Sequence, residues 1–505
     1  MTCLPGAGWR TALWTMLFAL VLSDSPGTIS AETLETGLEL TPCQLEEDGE
    51  ELLCGVLEVF EDRQRQSGRK IPLNIVLMPA RKQTTPPGPV ATEEEKVEAR
   101  ALFVLAGGPG VAATKWGLGF VNGALDGVRT TRDVVLVDQR GTGQSNGLGC
   151  QLYDADSPSS LWGDLLPVEP VKRCRRLLEE HADLRFYGSA FAADDLDEVR
   201  AALGYAMIDL YGSSYGSHLA QVYMRRHPDR VRSAVLQGVA PVDARGLEEI
   251  PHAAQAALDG LVSLCAADPE CRTAYPRFEQ ELRVVFDRLR AGPVQIPSTA
   301  PGSEVAEELT LTYDHFALVL RGLLHHPAAA SSIPGIVSAA ANGDFTPIVG
   351  PSFAYRRGLA DNIAFGLFLS VFCEEQVRSA DLGAAAASAE ESFAGEYWTR
   401  QLVRACSLWP RGTLPPGHDQ PLRSQVPTLL ISGGLDPATP PHWARSVAAN
   451  LPKSRLIVVP YASHSFGGMF GCVDKIVVEF LERGSARGID ASCVSNLEPQ
   501  PFVLP

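Results

Sequence analysis

The chain has 505 residues, 45% of them hydrophobic and 20% charged, which supplies a large core and argues against a disordered chain. Lys and Arg number 43 against 60 Asp and Glu, a formal charge of −17, the wrong sign for a generic nucleic-acid-binding surface. No apolar run reaches the roughly 18 residues that a membrane-spanning helix needs, so no stable membrane span is expected.

Arg10 precedes an apolar run from Ala12 to Leu22, broken only by Thr15, and residues Ser23 to Ala31 are mostly small and polar. This order of regions predicts a secretory signal peptide over 1–31, with cleavage after Ser23 as the alternative, and therefore an exported protein, periplasmic or secreted. Losing 1–31 removes Arg10 and Asp24 together, so the charge is unchanged. It also removes Cys3, turning eleven cysteines into ten. An even count in an exported chain suggests disulfides. The spacing suggests the local pairs Cys43–Cys54, Cys150–Cys174, Cys265–Cys271, Cys373–Cys406 and Cys472–Cys493. No C-x-x-C pair exists, so neither a zinc ribbon nor a thioredoxin-type site is expected.

Gly55–Phe60 and Ile71–Met78 are extended apolar stretches joined by a polar turn and read as an antiparallel pair. Residues 82–95, with Pro86, Pro87 and Pro89, read as a loop. Ala101–Leu105 and Asp133–Val137 are short apolar runs of the kind buried on both faces of a parallel sheet. Asp194–Leu203 has helical periodicity and stops at Gly204. Met207–Tyr211 is a strand followed by a helix to about Arg226, and Ala234–Leu236 is a further strand. Strands alternating with helices predict a mostly parallel sheet in an α/β fold.

Between Asp243 and Thr413 this strand rhythm stops. Phe278, Leu282, Val285, Phe286 and Leu289 fall on one helical face, and Ala384–Ala389 is helix-prone. The segment 243–413 reads as a helical cap inserted between a core of residues 32–242 and its continuation, 414–505. Strands resume at Thr428–Ser432 and Leu456–Val459, and a last helix carries Val473, Ile476, Val477, Phe480 and Leu481 on one face.

Three points at strand ends carry chemistry. Gly212-Ser213-Ser214-Tyr215-Gly216 is a G-x-S-x-G between a strand and a helix, the context in which a tight turn exposes the central serine as a nucleophile. Asp436 follows the strand Thr428–Ser432 and His464 follows Leu456–Val459, so the order along the chain is Ser, Asp, His. His464 is placed to take the Ser214 proton and Asp436 to orient the imidazole. Ala106-Gly107-Gly108-Pro109-Gly110 follows the strand Ala101–Leu105. Pro109 has no N–H, so Gly108 or Gly107, together with Tyr215, is the candidate oxyanion donor. The glycines do not form G-x-G-x-x-G, which argues against a dinucleotide site. This chemistry calls for no cofactor and no metal.

These motifs resemble the proline iminopeptidase and tripeptidyl aminopeptidase branch of the α/β hydrolases, serine peptidases with a TAP-like C-terminal region. The matching pieces are Gly107–Gly110, Val137–Ser145, Leu210–Gly216, His227–Val231 and Val426–Pro441. The likeness spans roughly 40–245 and 400–495 and is weak between them. Two positions depart from it: Ala106 stands where these peptidases often have His, and Ser465 where many have Gly. The resemblance implies an α/β-hydrolase fold and an aminopeptidase acting on peptides with a free N-terminus. Such enzymes hold the substrate amine with acids from the cap. Glu374 and Glu375 are the candidates, and the position two residues after Cys373 favours Glu375. A carboxylesterase or lipase built on the same triad, and a non-catalytic binding protein on this scaffold, are the competing readings. The absence of a long apolar lid argues against a lipase, and the full triad argues against a mere binding protein.

Overall fold

The computed structural model describes residues 32–33, 38–45, 50–81, 100–154, 157–299, 306–466 and 470–505. The predicted signal peptide 1–31 and the predicted loop 82–95 lie outside the described residues. Ten strands form one sheet in the order β1 (Glu32–Thr33), β2 (Glu39–Cys43), β3 (Leu52–Phe60), β4 (Lys70–Met78), β6 (Asp133–Val137), β5 (Ala101–Leu105), β7 (Ile208–Ser213), β8 (Val231–Gln237), β11 (Thr428–Gly433) and β12 (Ser454–Val459). Neighbours from β1 through β4 to β6 are antiparallel, and those from β6 to β12 are parallel.

Parallel strands need crossover connections, and these bring helices onto both faces. β5 and β6 are buried along their whole length, as short unbroken apolar runs must be in that position. Successive residues point to opposite faces. Phe103 and Leu105 join Leu196, Val199, Leu219 and Val222 of the helices Ser189–Ala202 and Tyr215–Arg226. Leu102 and Val104 join Val121 of the helix Ala113–Gly123 and Val473, Val477 and Phe480 of the helix Phe470–Arg483.

The expected antiparallel pair is β3 and β4, in register Gly55↔Ile75. β1 and β2 were not expected. They are too short to show an alternation, and β2 is fixed by its ladder to β3 and by the Cys43–Cys54 disulfide. The five local cysteine pairs are bonded in the structure, with Cα–Cα distances from 5.1 to 5.9 Å.

Residues between β8 and β11 are mostly helical, and the face Phe278–Leu289 is buried in the helix Phe278–Ala291. The expectation that strands are lacking there is wrong in one place. β9 (Val294–Thr299) and β10 (Ala306–Leu311) form a separate antiparallel pair, with Val294 opposite Leu311 and Ile296 opposite Leu309. Pro297 and the acids of β10 hide its alternation. The helices Tyr313–Leu323, Val349–Asn362 and Phe365–Val371 follow, the last continuing into a π-helical turn over Phe372–Gln376. Among the described residues no helix is long and apolar enough to cross a membrane.

At the sheet end away from the G-x-S-x-G turn, the start of β7 is held by charge. Asp209 is buried, and Arg132 Nε lies 3.1 Å from its Oδ2, with Arg232 and Ser233 on the same carboxylate. Removing one partner strands a buried guanidinium. Asp209→Ala is expected to cost about 3–5 kcal/mol in urea unfolding. Ser214 lies five residues on, about 16 Å along the strand, so the active-site geometry of the folded variant is expected to persist.

Candidate active site

β7 ends at Ser213, the helix begins at Tyr215, and Ser214 alone makes the turn, with φ 56° and ψ −123°. A non-glycine residue there is strained by roughly 1–3 kcal/mol. It is held by its own N–H, which donates to Gln237 O at 2.8 Å, and by Ser217, whose N–H and hydroxyl donate to Ser214 O at 2.8 and 2.6 Å. The turn closes only because its flanks are glycine. A Cβ on Gly212 would lie 2.3 Å from Gly216 O, and one on Gly216 2.1 Å from Leu105 O.

The structure brings the three expected residues together. His464 Nε2 is 2.9 Å from Ser214 Oγ, and His464 Nδ1 is 2.9 and 3.1 Å from the two oxygens of Asp436. Asp436 also accepts from the N–H groups of Ala438 and Thr439, both at 2.8 Å, and from Thr439 Oγ1 at 2.6 Å. Burial raises the cost of its charge, but His464 and the Thr439 donors outweigh that and keep its pKa below the ordinary value. Thr439 was not singled out from sequence. Its place three residues after an aspartate at a strand end is the signal that points to it.

Gly107 approaches the serine closely, where a Cβ would stand 3.1 Å from Ser214 Cβ. Gly108, Ser214, Tyr215 and His464 line one cavity of about 980 Å³. Tyr215 opens its helix, so its N–H has no intrahelical acceptor. The departure at Ser465 has a structural account. Its N–H donates to His325 O at 2.9 Å and its hydroxyl is 2.7 Å from His326 Nδ1, so the histidine loop is tied to the helical segment above it. The His325 ring stands edge-on to His464 at 5.5 Å. Burial, with help from the charges of Arg321 and His464, pushes its pKa down to about 3.

The two cap acids part company. Glu375 lines the cavity. Its Oε1 accepts from Ser189 N–H at 2.7 Å. Its Oε2 lies 2.9 Å from Ser189 Oγ, 2.9 Å from His218 Nε2 and 3.4 Å from His418 Nε2. Burial opposes its charge, but the bond from His218 and the nearby His418 win and hold its pKa well below the carboxylate range. Ser189 Oγ in turn is 2.8 Å from the hydroxyl of Tyr215, linking this cluster to the residue beside the nucleophile. Glu374 faces elsewhere, accepting from Gly412 N–H at 3.0 Å. Burial and the Glu375 charge push its pKa up to about 7.

Neither histidine nor Ser189 was foreseen, because they come from three distant parts of the chain. His218, Glu375 and His418 bring one ligand atom each to within 4.8 Å of one another, a donor set that zinc also uses. Here Glu375 hydrogen-bonds His218 and Ser189 directly. The motif Val137–Ser145 is scaffolding. Asp138 accepts from Thr114 N and Oγ1 and from Asn74 Nδ2 at 2.8 to 3.0 Å, and Arg140 grips Asp195 with two bonds.

Residues 100–275 match the family described as alpha/beta hydrolase fold, and residues 391–493 the family described as TAP-like protein. The chain is 25% identical over 500 residues to serine protease Hip1 of Mycobacterium tuberculosis, covering 90% of this chain and 91% of that one. It is 25% identical over 483 residues to tripeptidyl aminopeptidase of Streptomyces lividans, covering 89% and 84%. It is 24% identical over 505 residues to the protein YuaR of Escherichia coli (strain K12), covering 94% of each.

Glu374 gives a pH test with a definite sign. A folded-state pKa near 7, above the ordinary 4.5, means that the proton's stabilisation is complete below about pH 4.5 and lost as pH rises through 7. Glu374→Gln mimics the protonated form. Its unfolding free energy is expected to match the wild type near pH 4.5 and to exceed it by about 2–3 kcal/mol at pH 8. A difference that is flat with pH would show that Glu374 does not titrate in this range.

Proposed function

We propose that this chain, an α/β hydrolase with a TAP-like C-terminal region, is an exported serine hydrolase working as an aminopeptidase. It releases N-terminal residues or short peptides through an acyl-enzyme on Ser214. Ser214 Oγ, His464 and Asp436 carry this reading, bonded in series at 2.9 Å with the serine facing the cavity. The relatives that are serine protease and tripeptidyl aminopeptidase support a peptide substrate. The five bonded cysteine pairs support export, as does the predicted signal peptide 1–31.

In this reading residues 32–242 and 414–505 form the catalytic core and 243–413 the cap that roofs the cavity. Ser214 Oγ attacks the substrate carbonyl carbon and its proton passes to His464 Nε2. The carbonyl oxygen, now negative, is received by the N–H groups of Tyr215 and Gly108. The C–N bond breaks and the leaving amine takes the proton from His464. Water then adds to the acyl-enzyme by the same route in reverse, with His464 as base. Asp436 stays ionised throughout and stabilises the imidazolium.

Glu375 is the acid that meets the substrate's free amine. The amine is largely protonated near neutral pH, and Glu375 is held ionised on the cavity wall. His418, at 3.4 Å, is its loosest partner, and the ammonium joins the network from the cavity side, which Glu375 lines. Glu374, bonded to Gly412 and off the cavity wall, takes no part in this contact. A carboxylesterase is the second reading, favoured by the aromatic wall of Phe365, Phe368, Phe372 and Trp398.

Glu375→Gln is expected to lower kcat/KM for free-amine peptides by the equivalent of about 1–3 kcal/mol and to leave neutral p-nitrophenyl esters little changed. N-acetylated peptides are expected to be poor substrates of the wild type. Equal cleavage of acetylated and free peptides, or an equal loss on both substrate classes, would replace the aminopeptidase by the esterase.

A further inference from the structure

The helix Tyr313–Leu323 turns a buried face toward the core, with Phe316, Ala317, Val319 and Leu320 on it. Arg321 follows, only 7% exposed, and lines the cavity that holds Ser214. Six arginines are buried among the described residues, and five of them have polar partners. Arg129 pairs with Glu50, Arg132 with Asp209, Arg140 with Asp195 and Arg200 with Asp197, while Arg356 donates to Leu161 O. Arg321 differs. Among the described residues its side chain donates no hydrogen bond and forms no ion pair, and its Nε is fully buried without an acceptor. Its guanidinium carbon lies 5.4 Å from the ring centroid of Trp398, another cavity residue.

A guanidinium keeps its charge even when buried, and a buried charge without a partner is costly. Burial does weaken the basicity of Arg321, with Tyr355 and Asp436 opposing that loss from a distance. In a chain of net charge −17, a cation on the cavity wall with no acid paired to it among the described residues suits an anionic ligand. The planar fork matches a carboxylate in particular.

We propose that Arg321 is a specificity-determining residue that receives a carboxylate carried by the substrate. Where that carboxylate stands relative to the cleaved bond rests on the hydrolytic reading of Ser214; its binding does not. Two parts of a substrate can supply it: an acidic group on the acyl side, or the free C-terminus of a short peptide on the leaving side.

Glutarate tests the site without turnover. Added to the full-length protein, it is expected to raise the thermal midpoint of the wild type and to leave that of Arg321→Met unmoved, with Arg321→Lys responding weakly. Arg321→Met is expected to fold at least as stably as the wild type, because methionine fills the space without a charge. Two matched substrate pairs then identify the source. Mono-p-nitrophenyl adipate beside its methyl ester carries the charge on the acyl side. A short peptide with a free C-terminus beside its amide carries it on the leaving side. In one pair the wild type is expected to favour the charged member by about tenfold or more, and Arg321→Met to reduce that ratio to near one while the neutral member is little changed. The proposal is overturned if glutarate shifts both proteins alike or neither, or if Arg321→Met slows charged and neutral members equally. If the glutarate and ester results hold while no peptide is cleaved, the aminopeptidase reading falls and Arg321 keeps its role.

Discussion

A Cβ on Gly216 would lie 2.1 Å from the carbonyl oxygen of Leu105, and a Cβ on Gly433 would lie 2.1 Å from that of Ser463. Those two approaches are backbone against backbone, where nothing flexible can give way, and the site depends on them. The first seats the helix after β7 against the end of β5, so that Ser214 stands beside Gly107 and Gly108. The second seats the loop after β12 against the end of β11, so that His464 meets Asp436. Ser214 bridges the two halves across 250 residues of chain through a single 2.9 Å bond to His464. The strained turn at Ser214 is stabilised from three sides by Gln237, Ser217 and the sheet itself.

Around that fixed centre the electrostatics are divided by region. Acid is paired almost everywhere it is buried: Asp436 by His464 and Thr439, Glu375 by Ser189, His218 and His418, Asp209 by Arg132 and Arg232. Two charged groups with spare capacity face the cavity. Among the described residues Arg321 has no hydrogen-bond or ion-pair partner, and Glu375 has one loose one. A substrate with an ammonium at one end and a carboxylate elsewhere would complete both, since neither residue needs to break a strong contact to take a ligand. The helical segment supplies both groups, so in the proposed reading the core breaks the bond and the segment above it selects the substrate. The link from Ser465 to His325 and His326 joins the two parts beside His464.

Much of this was legible before the structure. β5, β6 and β7 are short apolar runs bounded by turn residues, and each is followed by glycine-rich or charged chemistry at its C-terminal end, where open α/β sheets gather their sites. The Ser, Asp, His order and the local cysteine pairs needed only spacing. What escaped was held by tertiary contact. β2 is too short to alternate visibly and is fixed by its neighbour, and β9–β10 carries a proline and acids inside its run. The partners of Glu375 come from the helix after the nucleophile, from Ser189 and from a loop at His418, and no local pattern joins them. No motif or spacing in the sequence singles out Arg321. Only the position of its neighbours, Leu320 buried before it and a cavity beside it, shows that it lies on the inner side.

The central claim is that Ser214 is the nucleophile that becomes acylated. Reaction with a fluorophosphonate, followed by peptide mapping by mass spectrometry, tests it directly. The account predicts one added group per chain, located on Ser214, with no labelling of Ser214→Ala and native secondary structure retained in that variant. Labelling at Ser213 or another serine, or undiminished labelling and turnover in Ser214→Ala, would contradict it.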